Sequence, residues 1–108
     1  MTRVYYYPDE HRMEIRGHSG AGKPGEDIVC AGVSSLTFAL LNAATEVPEW
    51  MTNVYIDNTG AVIRVQCYPD EEQEPVCREM FRTILAGFDN LAETYPDHVK
   101  LIGGTNGN

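Results

Sequence analysis

Basic residues are scarce in this chain. Of 108 residues only 8 are Lys or Arg, against 16 Asp and Glu, for a formal net charge of −8. A surface that holds phosphate backbones needs basic stripes, so this balance predicts no direct nucleic-acid partner and favours a basic protein one. Long apolar runs are missing too. No window holds 18 consecutive apolar residues, which predicts no membrane span. The opening MTRVYYYPDEHR has no apolar stretch followed by a small-residue cleavage site, so a cytoplasmic protein is expected. Histidine is limited to His11, His18 and His98, and the cysteines Cys30, Cys67 and Cys77 form no C-x-x-C pair. A disulfide framework and a structural zinc site are both disfavoured, and no metal or cofactor is expected.

What is present reads as one globular domain, with 43% apolar and 22% charged residues. The β-formers at about 2–7 and the alternation through 12–18 predict two strands, joined at the turn signal Pro8-Asp9-Glu10. Residues 19–26, SGAGKPGE, read as a loop. Asp27 is a favoured N-cap, and an apolar run from Ile28 to Ala44 predicts a helix buried on more than one side. Strands follow around Val54 and Ile56 and from Val62 to Tyr68, with Asp57-Asn58-Thr59-Gly60 between them. Pro75 suits a first helical turn, and Val76, Met80, Phe81, Ile84, Leu85, Phe88, Leu91 and Tyr95 keep a helical period up to Pro96. Val99 to Ile102 reads as a last short strand. The expected fold class is α+β: a single two-layer domain in ββαββα order, with a mostly antiparallel sheet and two helices. Residues 1–102 form that domain and 103–108 a flexible tail.

Chemistry concentrates between Gly17 and Leu36, GHSGAGKPGEDIVCAGVSSL. With Asp27 as cap, Cys30 falls in the first helical turn, among unpaired N–H groups that favour a thiolate. His18 ends a strand just across the loop, which is long enough to fold the imidazole back onto the sulfur. A Cys paired with a His is the minimum for nucleophilic acyl transfer. Free amides at the same helix end are donors for a developing oxyanion. Against this, a lone Cys in an apolar helix is most often a small core residue. Residues 17–23 also read G-x-x-x-x-G-K, the opening of a phosphate-binding loop, but the required hydroxyl position is Pro24. Cys67 and Cys77 are read as packing residues, and His11 and His98 as surface residues. Asp70, Glu71, Glu72 and Glu74 are read as a solvated connector at a helix start. Trp50 and Met51 either cover the core or form a dimer patch.

The segment from Gly-His through Asp-Ile-Val-Cys-Ala to the Ser four residues later strongly resembles the signature of the ribosomal-processing cysteine protease family. The separation of twelve between His18 and Cys30 agrees with it. The resemblance implies a thiol endopeptidase, with Cys30 as nucleophile and His18 as base. It implies a substrate as well, the short N-terminal extension of large-subunit ribosomal protein twenty-seven, removed for ribosome assembly, and a homodimer. Asp27 and Ser34 match the motif's Asp and Ser as supporting residues. Two jobs are open to Asp27, orienting His18 or capping the helix. Ser34 either lines the substrate side or hydrogen-bonds the carbonyl four residues back. The family's loop between His and Cys is mobile, which places Gly17 and Gly25 as hinges and Gly20 and Gly22 as sources of freedom. The competing reading is a non-catalytic ribosome-associated binding protein.

Overall fold

Alternation along the strands separates two environments, and that separation builds the molecule. The computed structural model describes residues 1–17, 26–59 and 61–102, and of Glu26 and Asp27 the backbone only. Strand β1 (Thr2–Tyr7) buries Thr2, Val4 and Tyr6, and β2 (Arg12–Arg16) buries Met13 and Ile15 on the same face. Helix α1 (Glu26–Thr45) follows, then the hairpin β3 (Asn53–Asp57) and β4 (Val62–Gln66), helix α2 (Glu74–Thr94) and β5 (Val99–Ile102). The sheet order is β3-β4-β2-β1-β5, antiparallel throughout except for the parallel β1–β5 pair. This is the expected two-layer α+β fold.

The core lies between the sheet and the two helices. Phe81 and Phe88 of α2 are fully buried against it, with the Phe81 ring stacked on Tyr6 at 5.8 Å between centroids. Burying one such side chain contributes roughly 1.5–3 kcal/mol. Cys67 and Cys77 lie within the same core, and Trp50 caps it, donating its indole N–H to Gln73 Oε1 at 2.9 Å. Two Pro-led 3-10 turns, Pro8–Glu10 and Pro48–Trp50, each close with a left-handed residue, His11 (φ 51°) and Met51 (φ 50°). The acidic connector serves its helix: Asp70 Oδ1 accepts the Gln73 N–H at 2.9 Å.

Four expectations need correction. Strand β2 stops at Arg16 rather than 18, because its ladder to β4 ends at Arg16–Val62 and Gly17 turns left-handed (φ 75°). Helix α1 starts at Glu26, so Asp27 is its second residue and not its cap. An acidic residue is favoured by the dipole in a first turn, and the helix extends to take in Glu26. The cap position, Gly25, lies outside the described residues. The helix is not buried on more than one side, either. Val29, Val33, Leu40 and Ala44 face the core, while Ile28 and Phe38 stay 61% and 62% exposed. Finally, β4 ends at Gln66 rather than Tyr68, where the next amides turn to the carbonyls of His11 (2.9 Å) and Trp50 (2.7 Å). Helix α1 over Ile28–Thr45, with a mean hydropathy of 1.7, is long and apolar enough by length and composition to cross a membrane, a test that the core helix of a folded domain also passes. Its polar residues are hydroxyls and one amide, not charges, and its buried stripe packs in the core.

Candidate active site

Gly17 ends β2 in a conformation that L side chains rarely adopt, and its N–H donates to the Ala61 carbonyl at 2.8 Å. That bond ties the exit of β2 to the β3–β4 turn. Between this exit and α1 lies a cavity of about 370 Å³. It is lined by Gly17 and Ile15 of the central strand region, by Val33, Ser34, Thr37 and Phe38 of α1, and by the β3–β4 hairpin from Ile56 onward. A site of this size suits a peptide side chain or two. Thr37 spends its hydroxyl on the Val33 carbonyl at 2.7 Å, whereas Ser34 is exposed at the cavity wall.

Cys30 stands one turn before Ser34, in the second turn of α1 rather than the first. Helical side chains lean toward the N-terminus, so its sulfur overhangs the first turn, whose amides lack intrahelical partners. Cys30 is partly exposed; Cys67 and Cys77 are 1% and 0% exposed. A hydrogen bond from Cys77 holds the Cys67 thiol below its ordinary value despite burial. The same bond, together with burial, pushes Cys77 up. Neither is reachable by a peptide, so accessibility singles out Cys30.

His18, Gly20, Gly22 and Gly25 lie outside the described residues, as does the side chain of Asp27. The structure therefore brings Gly17, the neighbour of His18, and Ser34, one turn beyond Cys30, to a single cavity. Sequence reasoning missed the β3–β4 contribution to that cavity. The only signal was the turn Asp57-Asn58-Thr59-Gly60, and nothing local tells that the register carries Ala61 to Gly17. His11, expected at the surface, is instead partly buried: its Nε2 meets Glu74 Oε2 at 2.8 Å, and this bond holds the Glu74 carboxyl below the usual carboxylate range. Among the described residues no group of three His, Cys, Asp or Glu side chains is placed to hold a metal ion.

A family model described as cysteine protease Prp matches residues 1–100. The ribosomal processing cysteine protease Prp of Staphylococcus aureus is 26% identical over 85 residues, 79% of this chain and 78% of that protein. The Bacillus subtilis protein of the same name is 24% identical over 93 residues, 82% of this chain and 81% of its own. A solved structure shares the fold at a TM-score of 0.78 and 22% identity, covering 95% of this chain and 99% of that one. It is the essential ribosomal processing protease Prp from S. aureus in complex with a covalently linked product peptide.

Proposed function

The chain belongs to the cysteine protease Prp family, and on that footing we propose that it is an endopeptidase with Cys30 as nucleophile and His18 as general base. The substrate is a ribosomal protein, in the finer reading large-subunit protein twenty-seven with its short N-terminal extension still attached. Residues 1–102 form the protease domain, with 103–108 a tail. The enzyme is cytoplasmic and acts as a homodimer. The observation that carries the reading is the cavity shared by Gly17 and Ser34, which brings the flanks of His18 and Cys30 to one place.

The Cys30 sulfur attacks the scissile carbonyl carbon and gives a tetrahedral oxyanion. Collapse forms a thioester and expels the amine, and water then frees the enzyme. His18 accepts the thiol proton and returns it to the leaving amine, help worth about 10² to 10⁴ in rate. Oxyanion donors come from the unpaired amides of the first turn of α1, each worth roughly 3 kcal/mol. Asp27 supports this end of the helix through its charge on the dipole or through His18. Ser34 lines the peptide side of the cavity.

Incubation with unprocessed ribosomal protein twenty-seven tests this directly. Wild type shortens the protein, Cys30→Ser leaves it intact, and His18→Ala slows cleavage by 10² or more. Processing that survives in Cys30→Ser sinks the nucleophile assignment. Complementation by Cys30→Ala at wild-type level points instead to a binding protein without catalysis.

A further inference from the structure

The outer face of the sheet, opposite the helices, gathers most of the scarce positive charge. Arg3, Arg12, Arg16, Arg64 and Lys100 all point from it, five of the chain's eight basic residues. Only two strand carboxylates, Glu14 and Asp57, share the face, in a molecule where acids outnumber bases twofold. Register places three of the cations side by side: Arg16 opposite Arg3, and Arg3 opposite Lys100. Like charges directly opposite each other on a sheet are destabilising. All three are exposed. Glu14 takes up part of the charge, pairing with Arg16 at 3.0 Å and with Arg64 at 2.9 Å, while among the described residues no acid is ion-paired with Arg3 or Lys100. Adjacent strands lie about 4.8 Å apart, so the row forms a short cationic track across β2, β1 and β5.

Planar groups stand beside the track. The Arg12 guanidinium lies 4.3 Å from the Tyr7 ring centroid, Arg64 lies 5.0 Å from Tyr55, and Arg16 lies 5.7 Å from Tyr5. Tyr–Arg planes on an open sheet are stacking surfaces for unpaired bases, and the cations beside them meet phosphates. We propose that this face binds single-stranded RNA, with phosphates along Arg16–Arg3–Lys100 and bases on the tyrosine–arginine planes. An acidic protein would use the cations but not three separate planes. A second copy related by a twofold axis would set the same cations against each other. Arg16 also immediately precedes Gly17, so the track runs to the edge of the candidate active site. RNA held there keeps an RNA-bound basic substrate near the cavity.

Fluorescence anisotropy with a labelled 20-nucleotide oligouridylate is the test. Wild type binds with a slope of log affinity against log salt near −2, from three phosphates at about 0.7 each. Arg3→Gln/Lys100→Gln weakens binding at least tenfold and flattens the slope, while cleavage of a short peptide substrate is unchanged. Tyr55→Ala weakens binding about tenfold at an unaltered slope, the mark of stacking. Absence of binding at 50 mM salt, or full binding by the folded double Gln variant, overturns the proposal. So does equal competition by polyglutamate, which assigns the face to acidic protein. A change of sedimentation coefficient in the double Gln variant also overturns it, by assigning the face to self-association.

Discussion

At Gly17 one missing Cβ decides where a strand ends. An added Cβ would sit 2.6 Å from the Met1 carbonyl oxygen, and the φ of 75° already disfavours any L side chain. Gly17→Ala is expected to lower stability by more than about 1–2 kcal/mol, the cost of the left-handed backbone alone. In a domain of this size each kcal/mol appears as a melting-point drop of about 4–8 °C. Because Gly17 adjoins His18, processing at a temperature where the variant stays folded should fall as well. Unchanged processing would separate the turn from the active site. Cys30 was legible because its neighbours in the chain carry the signature. The role of His11 was not, since its partner Glu74 stands 63 residues away and only folding sets the pair at 2.8 Å.

Pairing between elements is where the outer face gains its one nearly buried charge. Glu14 on β2, 5% exposed, accepts hydrogen bonds from Arg64 of β4 at 2.9 Å and from Arg16 at 3.0 Å. Burial alone would raise its carboxyl, but these bonds hold it below the ordinary carboxylate value. A carboxyl lowered in the folded state stabilises the protein above its unfolded pKa and loses that contribution as pH falls through the folded value. Stability should therefore drop as pH falls below about 4.5, and Glu14→Gln should flatten the drop. At neutral pH the same substitution should cost about 1–3 kcal/mol, from guanidiniums left without their acceptor. Chemical denaturation across pH 3 to 7 checks both; parallel curves for the two proteins would remove Glu14 as the cause. On α1 the sequence showed an apolar helix but not its exposed side. The hydroxyl residues that interrupt the run carry no charge, so the pattern alone does not say which face meets water.

For the whole molecule, the uncharged outer side of α1 is the natural face for the proposed dimer. Ile28, Ala31, Phe38 and Ala39 are exposed there, and no Lys, Arg, Asp or Glu occurs between Ile28 and Thr45. Ala39→Glu inserts one charge into that face and should weaken self-association at least tenfold in sedimentation equilibrium, with far-UV circular dichroism unchanged. An unaltered dimer would move the interface elsewhere. By itself, the sequence determined the two-layer class, the helix and strand periods, and the residues of the Gly-His and Asp-Ile-Val-Cys signature. These are local properties: side-chain alternation, propensity and a motif contiguous in the chain. Only the tertiary structure decided that Ala61 meets Gly17, that the β3–β4 hairpin walls the cavity, and that five cations share one face of an acidic protein. Net charge sums over all residues regardless of place, whereas strand register assigns each one a side. A composition that predicted no nucleic-acid partner thus folds into a molecule with a basic face.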